Sequence, residues 1–360
     1  MRLEGVAYRR GSESWIHPLD LVLQTGAANV LLGATGAGKT TLLRLLAGLE
    51  VPTQGRLLDG DRDLTGIAVR CRSVAMVYQQ FINYPSLTVF ENIASPLRVA
   101  RRPEADIRRR VGEIAEVLRL SPLLSRYPAE LSGGQQQRTA LARALARDAE
   151  LLLLDEPLAN LDYKLREELR EELSQVFARQ GTTVVYATTE PLEALQLGGQ
   201  VHVLQAGRLL QSGATPAVFA RPASLAAAGV FSDPPLNVLP AGWDAATQQL
   251  RIEGGAPLQL PAAARAALGG SSRAVQLGIR PQRLTLASGP QACALDGSVE
   301  LAEISGSDTY LHLRHGAALL VAQIPGVHAL PLGSACTLHV DPAQLYGFDA
   351  DGTLCFAPEH

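Results

Sequence analysis

The sequence predicts an α/β domain with an inserted helical subdomain, followed by a small β-rich domain at the C-terminal end. Three observations predict this order. They are a glycine-rich loop between a predicted strand and a predicted helix, an apolar strand that ends in two acids, and short alternating segments after residue 230. With 360 residues the chain is long enough for two or three domains, each with its own core. We place the domains at residues 1–230 and 231–360.

The glycine-rich loop at residues 33–40 fits the phosphate-binding pattern G-x-x-x-x-G-K-[ST]. Residues 29–32 before it predict a strand, and residues 40–49 after it predict a helix with leucines on one face. The glycines let backbone N–H groups point at a phosphate, while the lysine adds a cation and the threonine offers a hydroxyl to Mg²⁺. We therefore predict a nucleotide-binding loop made of Gly33, Ala34, Thr35, Gly36, Ala37, Gly38, Lys39 and Thr40.

The second apolar run, residues 151–154, suits a strand buried on both faces and ends in Asp155-Glu156-Pro157. Asp155 would hold Mg²⁺ through water, and Glu156 would polarise an attacking water as general base. Two surface acids at a strand end are the plainer interpretation. Their order and spacing from the glycine loop favour the functional one.

The rest of the chain follows from changes of pattern. We expect residues up to about Gln79 to form the sheet that carries the glycine loop, and residues 80–130 to form the helical subdomain, with Ile107, Val111 and Ile114 at helical spacing. Further buried strands are predicted at residues 183–186 and 201–204, where His202 reads as a core histidine. In the tail, strands are predicted at residues 274–279, 297–304, 309–313 and 335–340.

Taken in order, these motifs resemble those of ABC-transporter nucleotide-binding subunits over about the first 230 residues. The resemblance is carried by residues 33–41, which add Thr41 to the loop, by Gln79, by Leu-Ser-Gly-Gly-Gln at residues 131–135, by residues 155–157 and by Asp162. It implies a P-loop ATPase that works as a head-to-tail dimer with two MgATP molecules at its interface.

The resemblance also implies roles for single residues. The signature residues would contact the ATP that is bound to the partner; they are Ser132, Gly133, Gly134 and Gln135. Asp162 would be the D-loop residue that crosses the dimer interface, and Gln79 would sense Mg²⁺ and the γ-phosphate. The implied Mg²⁺ ligands are Thr40, Gln79 and Asp155.

Two further segments resemble importer ATPases. Residues 277–281 and 305–310 are similar to the OB-like regulatory tail of carbohydrate-importer ATPases, and residues 78–97 are similar to the ATPase subunits of bacterial glycerol importers, which use two different ATPase chains. The implied partners are a second ATPase subunit, two membrane permease subunits and, indirectly, a periplasmic or surface solute-binding protein. The resemblance thus implies an ATP-hydrolysing subunit that powers import of glycerol or a related polyol or sugar through a separate membrane permease. The alternatives are a self-pairing ATPase of a general sugar importer and a soluble ABC protein acting on ribosomes or DNA.

The resemblance implies a peripheral subunit at the cytoplasmic face of a bacterial inner membrane, and composition agrees with a cytosolic, membrane-associated ATPase subunit. The formal net charge of −3 argues against nucleic acid as a partner. The four cysteines form no C-x-x-C pair, which fits a reducing compartment. No stretch of about 18 apolar residues occurs, so we expect the membrane component to be another chain.

Two positions depart from the family pattern. Thr189 stands where the family has a histidine that contacts the γ-phosphate, and a threonine hydroxyl is shorter and uncharged. Arg10 stands where an aromatic residue usually stacks on adenine, which leaves Tyr8 and Trp15 as candidates. With Glu156 and Thr189 as the catalytic residues, we expect this chain's own site to bind ATP and hydrolyse it slowly. The alternative is that Thr189 merely shifts the geometry of the site and that Glu156 is sufficient for hydrolysis.

Overall fold

The computed structural model describes residues 1–159, 161–252 and 257–359, and part of the side chains of one helix at residues 163–180. The chain divides into two compact units, Met1–Thr215 and Pro216–His360. Among the helices of the described residues, none combines the length and apolar character needed to cross a membrane.

The N-terminal unit alternates strands and helices. Its strands are β1 (Arg2–Arg10), β2 (Glu13–Val22), β3 (Ala28–Leu32), β4 (Gln54–Asp59), β5 (Arg62–Asp63), β6 (Val74–Val77), β7 (Leu151–Asp155), β8 (Thr183–Thr188), β9 (Gln200–Gln205) and β10 (Arg208–Ala214). Its helices are α1 (Lys39–Ala47), α2 (Val89–Val99), α3 (Glu104–Val117), α4 (Gly133–Leu145), α5 (Tyr163–Gln180) and α6 (Pro191–Leu197).

A six-stranded sheet in the order β10-β9-β3-β8-β7-β6 forms the centre of this unit. Strands β9, β3, β8, β7 and β6 are parallel, and β10 adds an antiparallel edge. The strands predicted at residues 29–32, 151–154, 183–186 and 201–204 are confirmed. Because the carboxyl ends of parallel strands meet at one edge, the segments that follow β3, β7 and β8 lie together there.

The expectation that all residues up to Gln79 join this sheet is wrong. Strands β2, β1, β4 and β5 form a separate antiparallel sheet, and only β3 and β6 of this stretch enter the parallel one. The burial patterns give the reason. Strands β1 and β2 are buried in part and pair as a hairpin over α1, whereas β3 is buried along nearly its whole length, as a central parallel strand is.

Helices α2, α3 and α4 lie between β6 and β7 in the chain, where the helical subdomain was expected. The predicted apolar stripe of α3, formed by Ile107, Val111 and Ile114, is buried. Its arginines form ion pairs with nearby acids, such as Arg109 with Glu113 at 2.9 Å. These pairs favour a solvated helix face.

The C-terminal unit is built from two antiparallel sheets. Its strands are β11 (Asn237–Asp244), β12 (Gln249–Ile252), β13 (Arg273–Ile279), β14 (Cys293–Ser305), β15 (Asp308–His315), β16 (Ala318–Pro325), β17 (Ala335–Val340), β18 (Tyr346–Phe348) and β19 (Leu354–Phe356). Helices α8 (Leu225–Val230) and α9 (Ala262–Leu268) accompany them, and α7 (Thr215–Ala220) begins at the division between the units. The sheet orders are β12-β11-β13-β18-β19 and β16-β15-β14-β17, and the predicted tail strands are confirmed.

The segment from Pro216 to Val230 packs with this C-terminal unit. Arg280 stacks on the ring of Phe219 at 3.9 Å and donates hydrogen bonds to the carbonyls of Phe219 and Phe231 at 2.9 and 3.2 Å. Ala228 of α8 packs against Tyr346 and Phe348. The division between compact units therefore falls before α8, whereas our sequence-based boundary at residue 230 falls after it.

His202 of β9 lies in the core of the N-terminal unit, as expected from its position in an apolar strand. Its side chain is 1% exposed, and its Nδ1 lies 2.9 Å from Ser212 Oγ. Burial lowers the pKa of His202 from 6.5 to about 4 because the charged imidazolium loses its hydration.

This pKa predicts a loss of stability in acid. Above pH 6.5 the imidazole is neutral in both states. Between pH 6.5 and 4 only the unfolded chain binds the proton, so stability present above pH 6.5 is lost as the pH falls toward 4. At pH 5 the loss should be about 2 kcal/mol. Urea unfolding of the N-terminal unit at pH 7.5 and pH 5 measures it. The His202→Gln variant should lack this part of the pH dependence, and equal losses in both proteins would contradict the prediction.

Candidate nucleotide-binding site

A cleft of about 490 Å³ lies where the glycine loop and the acidic end of β7 come together. Most of the predicted loop lines it, together with Gln79 and Glu156. The lining residues are Glu13, Ser14, Trp15, Thr35, Gly36, Gly38, Lys39, Thr40, Thr41, Gln79, Glu156, Ala206 and Gly207.

The glycine loop passes directly into α1, which begins at Lys39. Gly38 caps the helix with a φ of 98°, in the left-handed region, and an added Cβ there would lie 2.8 Å from Ile16 Cδ1. The positive φ is what favours glycine here, since Ile16 Cδ1 is the end of a flexible side chain that can move aside. The helix N-terminus thus points its free N–H groups at the cleft, which is an arrangement suited to phosphate.

Lys39 occupies the middle of the loop. Its ammonium group donates to the carbonyls of Gly33 at 2.7 Å and Ala34 at 3.1 Å, and it lies 3.4 Å from Glu156 Oε1. Burial lowers the pKa of Lys39, and the charge of Glu156 opposes that effect. Ala37, the remaining loop residue, is buried and its carbonyl accepts from Gly207 N at 3.0 Å.

The acidic side of the cleft is formed by the end of β7. Thr40 Oγ1 donates to Asp155 Oδ2 at 2.8 Å, and burial raises the pKa of Asp155, which is 2% exposed. Gln79 Nε2 donates to Glu156 Oε2 at 3.2 Å. Glu156 itself has a φ of 47°, which is uncommon for a residue other than glycine, and its N–H donates to Ala187 O of β8 at 3.0 Å.

A hydroxyl and a carboxylate in contact are oxygen ligands of the kind that Mg²⁺ takes. Within the described residues, no group of three or more His, Cys, Asp or Glu side chains could hold a metal ion. Mg²⁺ usually keeps several waters and is bound by one or two carboxylates plus substrate phosphates. Thr40 and Asp155 therefore fit Mg²⁺ that arrives with a nucleotide.

The signature residues and Asp162 do not line this cleft. Ser132 caps α4: its Oγ accepts from Gln135 N at 3.4 Å, and its own N–H donates to Gln135 Oε1 at 2.9 Å. Gly133 and Gly134 form the first turn of that helix. Asp162 caps α5 by accepting from Leu165 N at 3.0 Å. Both segments are thus presented at helix N-termini outside the chain's own cleft.

Thr189 follows β8 and has an exposed side chain that does not line the cleft. Its neighbours are held firmly. Thr188 Oγ1 donates to the buried carboxylate of Glu193 at 2.5 Å and accepts from Glu190 N at 3.0 Å. The backbone around Thr189 therefore has a defined path at the same sheet edge as Glu156.

The two candidate stacking residues differ in position. Trp15 lines the cleft and is 40% exposed, with the Arg10 guanidinium 5.8 Å from its ring centre. The hydroxyl of Tyr8 donates to Glu50 at 2.8 Å, and Tyr8 packs against the core beside α1. Only Trp15 of the two faces the cleft.

Sequence reasoning missed one wall of the cleft, the turn between β9 and β10. An added Cβ at Gly207 would lie 2.4 Å from the carbonyl oxygen of Trp15, and His17 N donates to Gly207 O at 2.9 Å. The Ala-Gly pair after a strand signals a turn. Nothing in the chain order signals that this turn packs against β2.

A lysine-bearing phosphate loop, a strand-end pair of acids and a glutamine that contacts one of them together define an ATPase of the P-loop class. The chain belongs to the ABC transporter family, whose sequence model matches residues 16–159, and a TOBE domain matches residues 277–348. It is an ATP-binding ATPase of that family.

Similar proteins extend the match to nearly the whole chain. The sn-glycerol-3-phosphate import ATP-binding protein UgpC of Chromohalobacter salexigens is 38% identical over 98% of this chain and 95% of its own length. The protein of the same name from Escherichia coli O157:H7 is 37% identical over 97% and 99%. The dimeric post-hydrolysis structure of the ATP-binding cassette MJ0796 bound to ADP and Pi is 29% identical, with a TM-score of 0.54, over 59% of this chain and 98% of that one.

Proposed function

We propose that this chain is the ATPase subunit of an importer for glycerol, a glycerol phosphate or a related polyol or sugar. Two relatives described above are named sn-glycerol-3-phosphate import ATP-binding proteins, and residues 78–97 resemble the ATPases of glycerol importers. The observation that carries the ATPase assignment is the cleft in which Lys39, Glu156 and Gln79 meet. No residue of this cleft would select the solute, which is the task of other subunits.

In this proposal different residues of the cleft bind the phosphates, accept the proton and hold Mg²⁺ during ATP hydrolysis. Lys39 and the loop N–H groups bind the β- and γ-phosphates, and Glu156 accepts a proton from the attacking water. Thr40 and Asp155, with Gln79, would hold Mg²⁺, which would neutralise charge on the phosphates when bound. Bound nucleotide would draw Lys39 from the carbonyls of Gly33 and Ala34 and release Glu156 for catalysis.

We infer that the active form pairs two ATPase subunits head to tail, since Ser132 and Asp162 stand outside the chain's own cleft. The dimeric MJ0796 structure supports a paired arrangement. The other partners would be two membrane permease subunits and, indirectly, a solute-binding protein outside the membrane. The chain would then hydrolyse ATP at the cytoplasmic face of the membrane.

Thr189 favours a second ATPase chain over a second copy of this one. If an uncharged, short side chain leaves the γ-phosphate less well held, this site is slow and a different partner with a complete site gives the faster turnover. Self-pairing remains the competing arrangement, and it requires Glu156 to suffice without a histidine.

Replacing Lys39 tests the assignment of the cleft. Lys39→Ala should raise the Kd for MgATP roughly 10- to 100-fold because a charged hydrogen-bond donor to the phosphates is lost. The measurement is a titration with MgATP followed by tryptophan fluorescence, which a base stacked on Trp15 would quench. Trp15→Phe should remove that signal.

Arg44→Ala is the matched control, because Arg44 is a cation on the same helix that pairs with Glu50 at 2.9 Å and does not line the cleft. It should bind MgATP like the natural chain. Equal affinities for the natural chain and Lys39→Ala, in a filter-binding assay that needs no tryptophan signal, would remove the glycine loop from the proposal.

A further inference from the structure

Gln137, on the second turn of α4, makes a buried contact that ATP binding as described above does not use. Its side chain is 2% exposed, and its Nε2 donates to the carbonyl of Pro157 at 2.6 Å. Its Oε1 is also buried and has no hydrogen-bond partner among the residues that the structure describes. A buried unpaired acceptor is unfavourable, so an apolar residue would fill this position better if packing alone mattered.

The carbonyl that Gln137 holds belongs to the turn of the proposed general base. Pro157 follows Glu156, whose φ of 47° is strained for a non-glycine residue. On one side this turn is held by the hydrogen bond from Glu156 N to Ala187 O, and on the other side by Gln137. The strained turn directs the Glu156 carboxylate toward Lys39 and Gln79.

The same helix carries the signature at its N-terminus. Ser132 and Gln135 close the first turn of α4 by reciprocal hydrogen bonds, and the carbonyl of Gln136 accepts from Asn83 Nδ2 at 2.8 Å. One helix therefore contacts the segment after Gln79, the turn of Glu156 and, in the proposed pair, the nucleotide of the partner subunit. A displacement of α4 at its signature end would be transmitted to these contacts, because packed protein interiors deform little.

We propose that Gln137 is a positioning residue that sets the orientation of Glu156 according to the position of the signature helix. The proposal rests on the proposed function. When the partner's ATP draws the signature inward, the rigid link from Gln137 to Pro157 would shift the turn of Glu156 in the same chain. Hydrolysis at one site is thereby made to depend on closure at the other.

The test compares variants of the full chain in the complex with the permease and ATPase subunits of the proposed function, with a partner site that binds ATP and cannot hydrolyse it. Gln137→Met keeps the length of the side chain and removes the donor. Single-turnover hydrolysis of MgATP should fall roughly 10- to 100-fold, because a misplaced catalytic group costs rate. The Kd for MgATP should stay within about twofold, since the change affects the reacting geometry and not binding.

Thr139→Val is the matched control. Thr139 is a fully buried residue of the same helix, but its hydroxyl donates to Gln135 O within α4 at 2.8 Å. It should lower the melting temperature without this loss of rate. If Gln137→Met fails to fold, Gln137→Asn, whose amide is one methylene too short to reach Pro157, takes its place.

A double variant separates positioning from mere structural support. With Glu156→Gln present, Gln137→Met should cause no further loss of rate, since the group that it positions is already gone. Two results would overturn the inference and leave the proposed function intact. One is a rate in the double variant that is lowered by the product of the two single losses, and the other is a Gln137→Met variant that hydrolyses MgATP as fast as the natural chain. If the natural complex hydrolysed no ATP, the proposed function would fail and this inference with it.

Discussion

Thr189→His should raise single-site ATP hydrolysis by roughly 10²-fold or more in a complex whose partner site is disabled, since positioning and proton-transfer effects have that size. The Thr189 side chain is exposed and does not line the cleft, but the backbone that carries it lies at the sheet edge of Glu156. Strands β7 and β8 are paired in parallel with Asp155 opposite Ala187, so Thr189 and Glu156 lie at the same edge. An imidazole at residue 189 would reach further into that edge than a threonine hydroxyl does.

Two variants control this experiment. Thr189→Leu brings bulk without a polar group and should give no gain. Glu156→Gln combined with Thr189→His should abolish the gain, because the histidine can only assist a base that is present. If the natural chain, with its partner disabled, already hydrolyses ATP as fast as Thr189→His, then Thr189 is a neutral replacement and the inferred asymmetry between two chains loses its chemical basis.

Ser132→Arg should abolish most ATPase activity and transport of the assembled complex while this chain's own nucleotide binding survives. Ser132 is an exposed helix cap outside its own cleft. An arginine there would remove the cap and obstruct a nucleotide that approaches from the partner, but it would not enter this chain's own cleft. The measurements are phosphate release by the complex and the Kd of the isolated chain for MgATP.

Ser132→Ala separates the loss of the cap from the added bulk. It removes the hydrogen bond to Gln135 N, with a cost of about 1 kcal/mol to the helix, and places no cation in the interface. Its effect on ATPase should be much smaller. A complex with Ser132→Arg that kept full ATPase would show that the head-to-tail arrangement does not apply to this protein.

Much of the fold was predictable because its signals are local. Apolar runs, alternation and glycine turns predicted four buried strands of the central sheet, helix α1 and the tail strands. The N-terminal strands were misassigned to the central sheet because β1 and β2 carry apolar residues that fit either sheet. Only their antiparallel pairing over α1 separates them.

In the candidate site, too, local motifs were predictable and contacts between distant segments were not. Lys39, Thr40, Asp155 and Glu156 belong to short motifs, and the structure brings them together as the chain order suggested. The wall formed by Gly207 and the orientation of Trp15 could not be predicted, because they depend on a turn about 190 residues away from β2 packing against it.

The sequence by itself determined the class of this protein, because the residues that bind phosphate and hold a water must be of fixed type at fixed spacing along a strand, a turn and a helix. It also determined the departure at residue 189. The tertiary structure alone decided that Trp15 and not Tyr8 faces the cleft, and that the signature lies outside it. It also revealed the buried contact from Gln137 to the turn of Glu156. These are contacts between segments distant in the chain, and they depend on how elements pack and not on which residues each contains.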